Sequence, residues 1–324
     1  MESPSPSLRR ESRDDGMSVP ATSSPLELPA TSSKSTLAAL LESLRPAQWV
    51  KNSCVFAALI FARQLTHWHQ TLRVTLAALA FCGISSAMYL LNDVLDASED
   101  RRHPLKRLRP VASGRLDSGT ALAVATLLAA STLVGAWILD RSFFWTLALY
   151  ACLILIYSAW LKRVILIDVF VIATGFVLRV VAGGLVIHVD LSAWLIVCTT
   201  LLALFLALRK RRNELVLLGE QAAVHRTTLA DYTPHFLDQL IGIVTASTVM
   251  SYSLYTLSED VRTKFPGKRL EITVPFVLFG IFRYLYLVHR REGGGNPARL
   301  LFTDPMLLSA VVLWAGTVIW IIYF

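Results

Sequence analysis

Apolar residues run in long blocks along most of this chain, and polar residues gather at the block ends. Stretches of mostly apolar residues near the ~20 needed to cross a bilayer recur at roughly 49–64, 72–92, 119–138, 143–160, 165–187, 191–209, 237–257, 272–289 and 303–323. The pattern predicts an all-α, polytopic membrane bundle of about nine transmembrane helices, with the first span the shortest. Residues 36–48 read as a short amphipathic segment at the membrane interface. Residues 1–35 are rich in Ser, Pro and Thr and are expected to be a disordered cytoplasmic tail, which leaves 36–324 as the membrane-embedded domain. No cleavable signal peptide is expected, since the first long apolar stretch begins only after residue 50 and has no small-residue cleavage pattern.

Composition agrees: 54% hydrophobic residues is too apolar for an ordinary soluble domain. The net charge of +8 is concentrated in a few loops, which points to orientation and anionic ligands rather than nucleic acid. One set of loops carries Arg101, Arg102, Lys106, Arg107, Arg109 and Arg115, then Lys162 and Arg163, then Arg209–Arg212, then Arg290, Arg291 and Arg299. The positive-inside rule makes that side cytoplasmic, with the N-terminus inside. The basic loop 262–269 on the other side breaks the rule. Cys54, Cys82, Cys152 and Cys198 all lie within apolar runs without CxxC spacing, so neither a zinc site nor a disulfide framework is expected.

The chemistry begins where the second span ends, at Asn92-Asp93-Val94-Leu95-Asp96-Ala97-Ser98-Glu99-Asp100. On a helix, Asp93, Asp96 and Asp100 share one face, with Asn92 beside them. Carboxylates so close repel unless a cation sits between them. Hard oxygen ligands suit Mg²⁺, which a few carboxylates hold together with substrate phosphates. A solvated helix end is the plainer alternative. Basic residues follow at once, in Arg101-Arg102-His103-Pro104-Leu105-Lys106-Arg107-Leu108-Arg109-Pro110, and could take phosphate oxygens. Each of these cations could equally be an orientation signal.

Other polar groups fall at the same helix ends. Arg45-Pro46-Ala47-Gln48-Trp49-Val50-Lys51-Asn52 leads into the first span, where Lys51 and Asn52 would be tolerated if they faced the acidic site. The fourth span ends Tyr157-Ser158-Ala159-Trp160-Leu161-Lys162. The fifth carries Asp168 and Arg179, about three turns apart and so on one face. Arg179 lies deep, where a charge implies function or an ion pair with another helix. The sixth ends Leu208-Arg209-Lys210-Arg211-Arg212-Asn213-Glu214, and the eighth carries Arg283 with Tyr284 and Tyr286. A transport path would place polar groups nearer the midplane.

Asn92-Asp93-x-x-Asp96-x-x-x-Asp100 in this membrane context resembles the first aspartate motif of the UbiA superfamily of intramembrane prenyltransferases. The resemblance spans nearly all of 40–324 and implies a helical bundle with a cytoplasmic-side cavity, in which Mg²⁺ bridges the aspartates and a substrate diphosphate. The family's second aspartate motif is replaced here by Lys210-Arg211-Arg212-Asn213-Glu214, which favours a substrate with an additional phosphate. The stretches 44–52, 103–110 and 273–284 resemble the branch of decaprenyl-phosphate phosphoribosyltransferases, and Tyr157–Lys162 is similar to that branch's Tyr/Lys motif. The branch uses phosphoribosyl diphosphate (PRPP) as donor and a long polyprenyl phosphate as acceptor, in arabinan precursor synthesis for the cell wall. Carried over, Asn92, Asp93, Asp96 and Asp100 would hold the metal, with the three aspartates catalytic. Gln48, Lys51, Asn52, Arg102, Lys106, Arg109, Tyr157, Lys162, Arg179, Lys210, Arg212 and Glu214 would contact substrate. Lys51 is expected beside the diphosphate, and Tyr157 with Lys162, or the 210–212 cations, at the 5-phosphate. The alternatives are prenyl transfer from a prenyl diphosphate to an aromatic acceptor, and a lipid-phosphate transporter. Self-association is left open.

Overall fold

In lipid, a spanning segment must satisfy its own backbone polar groups, so long apolar runs become helices. The computed structural model describes residues 36–102, 106–218, 231–290 and 297–324, and no β-strand occurs among the described residues. The tail 1–35 and His103 lie outside them. The described residues form one compact unit.

The chain starts with α1 (Thr36–Leu44), a 3₁₀ segment (Pro46–Val55) and α2 (Phe56–Phe61). The helices α3 (Trp68–Leu95) and α4 (Ala97–Asp100) follow, then α5 (Ser118–Leu139), α6 (Arg141–Ala159), α7 (Ile167–Val186) and α8 (Ala193–Leu218). The last part holds α9 (Pro234–Leu257), α10 (Glu259–Lys264), α11 (Val274–Arg290), α12 (Pro297–Thr303) and α13 (Pro305–Tyr323). Among the described residues eight segments are long and apolar enough to cross a membrane: α3, α5, α6, α7, α8, α9, α13 and the stretch Leu270–Val288 that includes most of α11.

The first span corrects the sequence expectation. No continuous helix covers 49–64. Ten residues of 3₁₀ helix precede only six of α-helix. At about 2.0 Å per 3₁₀ residue and 1.5 Å per α residue, the pair still measures about 29 Å, close to a bilayer core. A 3₁₀ run this long is unusual and follows from its sequence, which opens with Pro and carries Gln48, Lys51, Asn52 and Ser53 in place of an apolar stripe. It packs close on α7. A Cβ built on Gly183 would lie 2.1 Å from the Val55 carbonyl oxygen, so only glycine admits this approach.

The sixth expected span, 191–209, also differs, because α8 continues through the polar stretch to Leu218. Helix α7 joins two apolar clusters. Leu178, Ala182 and Val186 pack with α3 and α6 residues such as Phe81 and Phe143. Val169 and Ala173 pack with α8, α9 and α11 residues such as Phe205, Leu237 and Tyr284. Outward side chains, Leu127, Ile138 and Trp145 among them, are exposed and apolar, as an acyl-chain environment requires.

Candidate active site

The acids at the end of α3 do not face one common partner. Helix α3 breaks at Asp96 (φ −90°, ψ 3°), and α4 resumes at once. Asp93 and Asp100 are buried and converge on one atom: Arg109 Nη1 donates to Asp93 Oδ1 at 3.2 Å and to Asp100 Oδ2 at 2.6 Å. Arg45 Nη2 adds a 2.5 Å bond to the same Asp93 oxygen. Asp96 instead accepts from Lys162 Nζ and Asn92 Nδ2, both at 2.9 Å. Arg45 reaches its place from a left-handed backbone (φ 53°), with its guanidinium 4.8 Å above the Tyr89 ring. A cleft of about 300 Å³ opens here, lined by Glu42, Ser43, Arg45, Asp93, Leu108, Arg109 and Pro110. Lys106 sits in the following loop, where burial and then Arg109 hold its ammonium below the usual lysine range. Asp100, Glu214 and Asp96 pull it the other way.

A second group sits across the bundle end. Arg211 is buried between Asp168 (Nε to Oδ2, 2.5 Å) and Glu214 (Nη1 to Oε2, 2.5 Å), and its Nη2 donates to the Tyr157 hydroxyl at 3.1 Å. Tyr232 donates to Asp168 Oδ1 at 3.0 Å and accepts from Leu166 N–H at 2.9 Å. Burial first, and Asp168 second, push the Tyr232 phenol up to about 12.

The basic run 210–212 therefore does not act as one phosphate clamp. Side chains one and two residues apart on a helix leave in different directions. Arg211 points inward, Arg212 forms a two-pronged pair with Asp238 of α9 at 2.6 and 3.0 Å, and exposed Lys210 stands 3.8 Å from Glu214. Asp168 and Arg179, expected on one face, take different partners.

Deeper in the bundle, Arg179 donates from Nε to Asn52 Oδ1 (2.8 Å), from Nη1 to the Gly175 carbonyl (2.7 Å) and from Nη2 to the Tyr150 hydroxyl (2.8 Å). Three rings, Tyr150, Phe81 and Phe176, lie within 5.5 Å of its guanidinium carbon. Gln48 and Lys51 are half-buried on the 3₁₀ segment, and Arg102 is exposed.

Arg45, Asp168 and Arg211 stand in stretches that the sequence marks, though not in these pairings, while Tyr150 and Tyr232 carry no such mark. Arg45 stands in a motif that was noted. Tyr232, in contrast, precedes a span with nothing in sequence to link it to Asp168.

The donor chemistry fits a magnesium ion. Among the described residues no three acidic, His or Cys side chains gather as a ready cage. Asp93 and Asp100 nevertheless direct hard anionic oxygens at a single cationic atom. Mg²⁺ commonly needs only one or two carboxylates, with the rest supplied by water and substrate phosphates.

An all-helical intramembrane bundle with paired acids and cations at one end of its spans has the layout of a membrane-embedded transferase. Comparison identifies which kind. The UbiA prenyltransferase family profile matches residues 53–311. The decaprenyl-phosphate phosphoribosyltransferase of Mycolicibacterium smegmatis is 31% identical over 304 residues, covering 90% of this chain and 94% of that one. The protein of the same name from Corynebacterium glutamicum is 32% identical over 289 residues, covering 88% and 86%. A UbiA homologue from Archaeoglobus fulgidus, solved with GPP and Mg²⁺, has the same fold, with a TM-score of 0.64 at 17% identity over 88% of this chain and all of that one. The chain belongs to the UbiA family.

Proposed function

We propose that this protein transfers a 5-phosphoribosyl group from PRPP to a polyprenyl (decaprenyl) phosphate and releases pyrophosphate, a step toward arabinan precursors of the cell wall. The carrying observation is the buried Arg211. It is held by Asp168 and Glu214 inside the bundle, whereas Asp93 and Arg109 line an open cleft, so the Asp93–Asp100 end is the one that offers carboxylates for a metal-bound diphosphate. Around that end stand Arg45, Arg109 and Lys162, enough positive charge for a donor with a further phosphate. The names of the mycobacterial and corynebacterial relatives support the same reading.

Asp93 and Asp100 would hold Mg²⁺, with Asn92 and Asp96 beside them at the break in α3, and the bound ion would neutralise the charge building on departing pyrophosphate. Arg45 and Arg109, now on the carboxylates, would turn to diphosphate oxygens. Lys162, with Tyr157 near it in sequence, would bind the 5-phosphate. The C1–O bond breaks through an oxocarbenium-like state, so positioning and electrostatics do most of the work. The acceptor phosphate is already an anion at neutral pH and needs no strong general base. The basic loops at this end of the bundle support a multi-pass orientation with N-terminus and site cytoplasmic.

The test is transfer of label from radiolabelled PRPP to polyprenyl phosphate in detergent. The expected result is Mg²⁺-dependent label in the lipid phase. Failure with PRPP alongside activity on prenyl diphosphate would make the protein a prenyltransferase. Movement of lipid phosphate across vesicles without a covalent product would make it a transporter.

A further inference from the structure

Arg115 stands outside the acid–base groups of the site, yet it touches both segments that deliver the arginines of Asp93. Its Nη1 and Nη2 donate to the Glu42 carboxylate, to Oε2 at 2.8 Å and to Oε1 at 3.1 Å. Nη2 also donates to the Leu108 carbonyl at 2.7 Å, and Nε donates to Ser113 Oγ at 3.2 Å. Glu42 lies one helical turn before Arg45, and the Arg45 N–H donates back to the Glu42 carbonyl at 3.2 Å. Leu108 is the residue before Arg109. One guanidinium therefore joins the segment that carries Arg45 to the segment that carries Arg109, although the two are far apart in the chain.

The packing around Arg115 is uneven. None of Lys106, Arg107 and Leu108 is buried, and Leu108 is 64% exposed, so this strip has little apolar anchorage of its own. The residues after it differ. Val111 and Leu116 are buried and pack with Ala39 of α1 and Leu90 of α3. The turn they bracket is closed by Ser113 N–H to the Arg109 carbonyl at 2.8 Å and Leu116 N–H to the Pro110 carbonyl at 3.0 Å, with Gly114 in the left-handed region (φ 77°). Arg115 rises from this anchored turn and reaches back to the unanchored strip. On the other side, Arg45 leaves α1 through a left-handed backbone, so the helix does not set its direction. Both Arg45 and Arg109 nevertheless donate to the same oxygen, Asp93 Oδ1. Like charges repel, and long side chains lose rotamer freedom on binding. A fixed spacing of their backbones lowers the cost of engaging one ligand with both.

We propose that Arg115 and Glu42 are positioning residues for the donor diphosphate: together they hold the Arg45 and Arg109 segments at the spacing that lets both guanidinia engage one diphosphate. The identity of the donor rests on the proposed phosphoribosyl transfer. Arg115 acts through Arg45 and Arg109, because its own donors are committed to Glu42, Leu108 and Ser113. The pair sits at the rim of the cleft, with the Arg115 and Glu42 side chains 26% and 44% exposed. An ion pair so exposed contributes little to stability. Its effect is on the order of the cleft before the ligand arrives, which lowers the cost of binding.

The experiment uses the full chain in detergent. It reads the Kd of magnesium pyrophosphate by calorimetry, separate KM values for PRPP and geranylgeranyl phosphate, and the unfolding temperature. Arg115→Met should raise the pyrophosphate Kd and the KM for PRPP about fivefold, the upper scale of an exposed ion pair, with the acceptor KM and the unfolding temperature unchanged. Glu42→Gln should move the same two constants in the same direction, and the double variant should lose no more than Arg115→Met alone. The sign for Glu42→Gln is decisive. If Arg115 held the diphosphate itself, release from Glu42 would free it for the ligand and tighten binding. A fall or no change in the pyrophosphate Kd of Glu42→Gln would overturn the proposal, as would additive losses in the double variant or an equal rise in the acceptor KM. If Arg115→Met does not fold, Glu42→Gln carries the test. If the wild type binds pyrophosphate but uses no PRPP, the phosphoribosyl reading fails while the pyrophosphate Kd still decides the role of the pair. A wild type that binds no pyrophosphate would overturn it.

Discussion

Arg211 donates from Nε to Asp168 Oδ2 at 2.5 Å, with the two side chains only 1% and 0% exposed. Removing one member of such a pair leaves a buried charge without its counter-ion. Asp168→Asn or Arg211→Met is expected to cost about 3–5 kcal/mol of stability. The double variant, which removes both charges, should lose less than the sum of the singles. Thermal unfolding of the four proteins in detergent measures the coupling, and strictly additive losses would show that the pair does not act as a unit.

Arg45 and Arg109 already neutralise Asp93, so the fold does not need a metal to relieve repulsion at the end of α3. Chelation should therefore abolish transfer and leave the unfolding temperature unchanged, with activity restored by Mg²⁺. Asp93→Asn should lower kcat by about 10²–10³-fold, the usual loss when one charge-stabilising group is removed. A fall in unfolding temperature on adding chelator, or full activity in Asp93→Asn, would refute the metal assignment.

The apolar runs made most spans legible: α3, α5, α6, α7, α9 and α13 each lie within a few residues of the expected limits. The first span was not, because a 3₁₀ segment lacks the apolar stripe that marks a helix, and its position depends on Gly183 far along the chain. The end of α8 was missed because hydropathy reports where lipid ends, not where hydrogen bonding ends, and Lys210–Glu214 continue as helix. The acids at 93, 96 and 100 were visible as a motif. Their division between Arg109 and Lys162 was not, since the break at Asp96 and the pairing across 66 residues are tertiary events.

Gly183 is the point where two backbones meet. Gly183→Ala would place a methyl group 2.1 Å from the Val55 carbonyl oxygen, and backbone cannot yield as a side-chain tip can. The cost is expected at about 1–3 kcal/mol, with a shift of the 3₁₀ segment that carries Lys51 and Asn52. Transfer activity should fall further than stability alone accounts for. Melting temperature and kcat/KM measured at a temperature where the variant is fully folded check this, and unchanged kinetics would mean the segment need not be so closely placed.

The stereochemistry of the product follows from where the charges sit. The carboxylates that would hold the leaving diphosphate lie at the end of α3, and the apolar helices that would take the acceptor tail lie below them. A nucleophile approaching from the deep side meets C1 opposite the breaking bond, because reacting atoms must align at about 3–3.5 Å. Among the described residues no carboxylate with open access stands on that face to form a covalent sugar intermediate: Asp168 is buried against Arg211 and Tyr232, and Asp93 and Asp100 belong to the other side. A single displacement should then convert the α-anomer of PRPP to a β-linked product. NMR coupling constants of the phosphoribosyl lipid, or its cleavage by an anomer-specific hydrolase, will read the configuration. An α-linked product would require two displacements and a nucleophile on this chain, which the arrangement of charges does not provide.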